Sequence, residues 1–185
     1  MVIMTLFLLG PVSVSARHSV APAFSYTHIR TTQGDRYYIT SPALNYTGDL
    51  KIWNYRLYLS VSAILPVWAS QNGANCDIPR YYSSTLGTDI FIGISKNIEI
   101  LDQFGIVPVL GWHQNGIRFQ AKSRYLNFYS LTSGLSVSLF MKFKTTQPLL
   151  NFMFCSMAID FIDQLYTENK LKAGYTVTAG IGHTF

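Results

Sequence analysis

Asp89 is a lone acid among cations on the polar faces of this chain, where Arg56, Arg118, Lys122, Arg124, Lys142, Lys144 and Lys172 also fall. If those faces enclose a lumen, each charge there must pair or meet water, so the set predicts an internal network of Arg56, Asp89, Arg118, Lys122 and Lys142. Plug-like pairing is one outcome, and a cation-lined path attracting anionic solutes is the other. The histidines His18, His28, His113 and His183 invite a catalytic reading. His113 lies next to a turn signal, with Ser123 and Glu99 in nearby segments, but the spacing matches no catalytic motif. His183 suits a membrane interface better. Cys76 and Cys155 are too few for a disulfide framework and are not spaced as metal ligands, which leaves open one bridge or two thiols. No cofactor, metal or enzymatic activity is expected.

These side chains sit in an unusual background. Only 12% of the 185 residues are charged, about half the ~25% of a soluble domain, and a soluble protein of this size needs a more charged coat. Aromatic residues make up 15% of the chain, a content that favours strands and membrane interfaces. The formal charge is +5, yet the cations are scattered without a basic cluster, and nucleic acid is not an expected partner.

The elements that must position these groups are strands. No window supplies the ~18 uncharged apolar residues of a transmembrane helix; the nearest, Leu149 to Ile159, stops at Asp160 and Asp163. Apolar residues instead recur at every second position. In 51–65, Trp53, Tyr55, Leu57, Leu59, Val61, Ala63 and Leu65 share one face. In 84–95 it is Leu86, Ile90, Ile92 and Ile94; in 117–125, Ile117, Phe119, Ala121 and Tyr125; in 134–144, Leu135, Val137, Leu139, Met141 and Phe143. Strands can cross a bilayer only as a closed barrel, because an open edge leaves backbone groups unpaired in lipid.

Turn signals at Thr47-Gly48-Asp49, Lys96-Asn97, Gln114-Asn115-Gly116, Thr132-Ser133-Gly134, Thr145 to Pro148 and Thr167 to Asn169 predict an antiparallel up-and-down meander. The strands fall near 36–47, 51–65, 84–95, 98–112, 117–127, 134–144, 149–160 and 170–185, which makes eight. Ala23 to Thr32 is a ninth candidate, and 66–82 could hide a tenth. Pro108 should bulge or kink its strand, and 149–160, apolar on both faces, also fits a short buried helix. Pro66 to Tyr82 is the longest connection and the natural binding or antigenic surface. With strands starting at 36, however, it falls on the same side as the C-terminus, against the usual asymmetry.

A lipocalin and a membrane barrel are mirror readings of one alternation. The polar faces here carry Gly, Ser and Thr more than Glu and Lys, which suits a narrow interior with room for inward Arg56, Tyr58, Phe91 and Phe140. Trp53, Tyr55, Trp112, Tyr125 and Phe143 lie toward strand ends on apolar faces, as interfacial aromatics do.

From Leu171 onward the alternation runs to the last residue: Tyr175, Val177, Ala179, Ile181 and finally Phe185 on one face. This pattern resembles the C-terminal signal of bacterial outer-membrane β-barrels, in which a terminal aromatic and alternate apolar residues are read by the barrel assembly machinery. His183 departs from that pattern, which usually has an apolar or aromatic residue there. In architecture the chain resembles small barrels of the OmpX, OmpW and OmpA transmembrane-domain type. The resemblance implies an all-β, antiparallel transmembrane β-barrel in the outer membrane of a Gram-negative-type or other diderm bacterium. Its implied partners are the lipid bilayer, the assembly machinery, periplasmic chaperones and a host or extracellular ligand at the loops.

Residues 1–16, with apolar Leu6 to Leu9 and small residues at Val14-Ser15-Ala16, read as a secretory signal peptide. Ala21-Pro22-Ala23 is a later cleavage site, which leaves 24–185 as the barrel; the plainer alternative is an apolar N-terminal strand. The expected role is structural, surface-exposed or adhesive. A narrow OmpW-type channel for small hydrophobic molecules is the alternative, and a soluble lipocalin-like binder the third. Some small outer-membrane barrels are lipid A-modifying enzymes, but no motif of theirs carries over.

Overall fold

The period of two becomes eleven strands in a computed structural model that describes residues 15–31, 34, 36–52, 55–76, 82–121, 128–146, 150–160 and 171–185. In chain order they are β1 (Ser15–Thr31), β2 (Arg36–Ile52), β3 (Tyr55–Ile64), β4 (Trp68–Gln71), β5 (Ala74–Cys76), β6 (Tyr82–Ser95), β7 (Ile98–Leu101), β8 (Phe104–Ala121), β9 (Phe128–Lys144), β10 (Phe152–Asp160) and β11 (Leu171–Thr184). Eight of them form the wall. They pair antiparallel in the order β1-β2-β3-β6-β8-β9-β10-β11, and β11 closes on β1 through pairs from Ser19↔Thr184 to Thr31↔Leu171. Closure leaves no edge in the wall, which is what a lipid environment requires.

The count of eight holds, but its members differ from the expectation. The ninth candidate is a wall strand, β1, and it starts at Ser15, ahead of the expected barrel boundary at 24. The two strands expected near 98–112 and 117–127 give one wall strand, β8, over Phe104–Ala121, while Ile98–Leu101 forms the separate short strand β7 paired to its start. Thr47-Gly48-Asp49, Gln114-Asn115-Gly116 and Thr132-Ser133-Gly134 lie inside β2, β8 and β9 and are not turns. Their polar and small residues resemble turn chemistry because they line a lumen: Asn115 and Gly134 are buried. The signal at 167–169 lies outside the described residues. The 149–160 run is a strand, β10, with Phe152 and Phe154 buried inside and Met153 and Met157 exposed outside.

Pro108 causes no bulge. The β8–β9 register runs through Pro108↔Leu139 unbroken. The Pro108 carbonyl accepts a bond from the Lys96 N–H at 3.3 Å, so the missing proline donor faces the side where β6 has ended, and no ladder bond is lost.

The new first strand also resolves the asymmetry. The connections between wall strands at 53–54, 96–103 (which holds β7) and 145–151 share one rim with the C-terminus, here called the C-terminal rim. The opposite loop rim carries 32–35, 65–81, 122–127 and 161–170. There β4 extends the wall beside β2, from Thr40↔Trp68 to Tyr37↔Gln71. It turns into β5 at Asn72 and Gly73, whose positive φ values of 52° and 86° make the primed turn a two-residue hairpin needs. The Asn72 N–H donates to the Arg36 carbonyl at 2.9 Å, and Asn72 Oδ1 accepts from the Arg36 N–H at 2.8 Å, which fastens the tip to the rim.

Polarity is inverted relative to a soluble barrel. Phe24, Leu44, Leu57, Leu86, Ile92, Ile94 and Leu110 are exposed, while Ser25, Thr27, Ser41, Asn45, Ser62, Ser136 and Thr178 are buried. This arrangement is stable only where the outer surface meets an apolar solvent.

Candidate functional site

The lumen is where the chemistry-bearing side chains converge. In β8 the inward positions are Val109, His113, Asn115 and Ile117, all buried; in β6 they include Asp89, Phe91 and Ser95. Register sets Phe91 opposite His113 and Asp89 opposite Asn115. Asp89 Oδ2 lies 3.0 Å from His113 Nε2 and accepts a hydrogen bond from the Asn115 amide at 2.9 Å. The His113 ring stacks on Phe91 with centroids 5.7 Å apart. A buried carboxylate is tolerable only with such partners. Around it, Asn45 donates to Ser60 and Ser62 at 3.0 and 2.8 Å, and Thr178 bonds Ser25 at 3.3 Å. A polar void of about 20 Å³ remains among these groups, room for one water.

Aromatic and apolar layers close the lumen above and below. Tyr58 packs on Phe140 and Phe140 on Phe154, at 6.1 and 5.1 Å between centroids. Toward the loop rim, Ile39, Ile64 and Ile117 form a separate buried cluster. Among the described residues these side chains occupy much of the interior, as an eight-stranded barrel allows.

The expected network is divided between two places. Asp89 is inside, but its partners are His113 and Asn115, which the turn signal at 114–116 concealed. Arg56 pairs instead with Asp49, a residue assigned to a turn from sequence. Lys142 donates to Thr184 Oγ1 at 3.1 Å and stands over the Phe152 ring at 4.5 Å. Arg118 is opposite Leu86 in the register, but its side chain, like Lys122, lies outside the described residues. Its assignment to the lumen rested on Ile117 facing outward, and Ile117 is only 1% exposed inside the barrel. The missed groups were legible in phase: extending the alternation of 84–95 across one continuous β8 puts 109, 113, 115 and 117 on the inner face.

Outside, two aromatic girdles bound an apolar band. Near the loop rim His28 stacks on Tyr38 at 4.7 Å and meets Tyr175 at 5.0 Å. Near the C-terminal rim His18 stacks on Tyr46 at 6.0 Å, and His183 meets Phe185 at 5.5 Å. The stretch from Tyr175 to Phe185, at ~3.3 Å per residue and ~40° tilt, spans about 25 Å along the axis, the height of an outer-membrane apolar band. Within it Val177, Ala179 and Ile181 alternate with inward Thr176, Thr178, Gly180 and Gly182. Tyr55 and Phe143 are exposed near the C-terminal rim, with Phe143 against Phe104 at 4.7 Å. Trp112 is exposed outside but lies within β8 and does not close a strand. Trp53 and Tyr125 lie outside the described residues.

No protein-family model matches the sequence, and no curated protein does. Among solved structures the chain is similar to Neisserial surface protein A, with TM-score 0.60 and 10% identity over 94% of this chain and 99% of that one. It is also similar to Ail, the attachment invasion locus protein of Yersinia pestis, with TM-score 0.53 and 10% identity over 92% and 99%. A complex of Ail with the heparin analogue sucrose octasulfate gives 0.50 and 12%, again over 92% and 99%. At these identities the likeness is one of fold. The fold is an all-β, antiparallel eight-stranded barrel, the fold of these small outer-membrane proteins.

Proposed function

We propose that the chain is an integral protein of the bacterial outer membrane with a structural, surface-exposed or adhesion-type role and no catalytic one. The observation that carries this reading is the pairing of a filled lumen with a built-up loop rim. Among the described residues Tyr58, Phe91, Phe140 and Phe154 occupy the interior, which favours a wall and platform over a conduit. At the loop rim the β4–β5 hairpin is fastened to Arg36, and Trp68 at its start and Leu65 and Val67 just before it are exposed. Exposed apolar and aromatic residues at a hairpin tied to the rim suit contact with another macromolecule. Ail, one of the structural neighbours, is named for attachment and invasion, which supports the adhesive variant. In this reading the bilayer surrounds the apolar band, and the terminal pattern ending at Phe185 addresses the chain to the assembly machinery after passage with periplasmic chaperones.

An epitope inserted between Asn72 and Gly73 tests the topology. Antibody should label it on intact cells, whereas an epitope inserted at Lys96-Asn97 should be labelled only after the outer membrane is permeabilised. The reverse pattern, or no labelling of the hairpin on cells that hold folded protein, removes the surface role.

A further inference from the structure

At the C-terminal rim the lumen opens into a cavity of about 100 Å³, lined by Arg17, Arg56, Lys142 and Lys144 with Asp49 and Glu99. That volume exceeds the ~10–15 Å³ needed for a single water several times over. The charges in it do not cancel. Arg56 is taken by Asp49, while Arg17, Lys142 and Lys144 form no ion pair among the described residues. Glu99 is the remaining carboxylate, and its Oε1 accepts from the Asn97 amide at 3.4 Å. Lys142 is fixed rather than free to wander, since Thr184 and the Phe152 ring hold its ammonium. Both of those contacts leave further ammonium protons available to a ligand.

The surroundings favour an anion. The cavity floor is the low-dielectric aromatic layer of Tyr58 and Phe140, and a concave site with cationic walls over an apolar floor focuses positive potential. Gln103, Asn97, Ser19 and Thr47 add neutral groups able to hydrogen-bond oxyanion oxygens. We propose that this vestibule binds a small soluble oxyanion of the phosphate type, held chiefly by Lys142, Lys144 and Arg17. The site lies on the opposite rim from the hairpin and is independent of the surface role.

The test uses full-length protein refolded in zwitterionic micelles, with inorganic phosphate titrated at constant ionic strength and observed by phosphorus NMR. Saturable binding is expected, competed by sulfate but not by chloride. Lys142→Met keeps the stem over Phe152 and removes the charge; it should weaken binding roughly tenfold or more, as the loss of one charge-assisted hydrogen bond does. Lys144→Gln gives the same reading should Lys142→Met fail to fold, and Arg36→Gln at the loop rim should leave binding unchanged. Absence of saturable binding, or equal binding by both lysine variants, overturns the proposal. A response to phosphatidylglycerol nanodiscs with none to inorganic phosphate also overturns it, because the same cations would then serve a lipid headgroup.

Discussion

Phe24→Lys separates a lipid-facing wall from a water-facing one. Phe24 is 53% exposed on the outer face, with Pro42 and Ala179 beside it in the register, midway between the girdle residues His18 and His28. An aromatic side chain offers ~200 Å², so about 100 Å² of Phe24 lies against lipid and contributes about 2.5 kcal/mol at ~25 cal/mol per Å². A lysine near the bilayer midplane adds a further cost of ~2–4 kcal/mol. The substitution should therefore destabilise the barrel by about 5 kcal/mol. His18→Lys at the girdle should cost no more than about 1 kcal/mol. The assay is reversible urea unfolding in lipid vesicles, followed by tryptophan fluorescence. On a solvated surface Phe24→Lys would stay within about 0.5 kcal/mol of the parent, and that result would refute the lipid-facing assignment.

Other consequences follow from the same geometry. Phe185→Ser, or deletion of Phe185, should lower the amount of protein inserted in the outer membrane without changing its synthesis, as read by quantitative blotting of membrane fractions. Reconstituted protein should conduct poorly in planar bilayers. Phe140→Ala, which removes the ring touching both Tyr58 and Phe154, should cost about 3–5 kcal/mol and raise conductance. Steady channels in the parent whose selectivity changes in Asp89→Asn would instead favour transport. Gly111→Ala should destabilise the wall by about 1–3 kcal/mol in urea unfolding, because its Cβ would lie 2.1 Å from the Ile92 carbonyl oxygen.

Much of this architecture is legible in the sequence because lipid and lumen impose opposite chemistries at period two. The alternation in β3, β6, β9 and β11 carries both the strand identity and the outward face, and Tyr58, Phe91 and Phe140 are inside as their phase requires. What misleads is local composition. A narrow lumen selects Gly, Asn, Asp and Ser, the same residues that make turns, so Asp49 and Asn115 read as breaks in strands that in fact continue. Splitting β8 at Asn115 then reversed the phase of Ile117 and hid His113 from Asp89. Ion pairing was the least legible feature, because the Arg56–Asp49 contact depends on the β2–β3 register, Asp49↔Tyr58 and Lys51↔Arg56, and on no sequence motif.

The central claim is that the exposed apolar faces are matched to a membrane and not to water. Circular dichroism of the purified chain, with and without detergent, combined with gel mobility of boiled and unboiled samples, tests it most directly. A β-rich spectrum and a heat-dependent mobility shift should appear in detergent or lipid and be absent in aqueous buffer. A monodisperse, β-rich, water-soluble monomer would contradict the account and return the chain to a lipocalin-like reading.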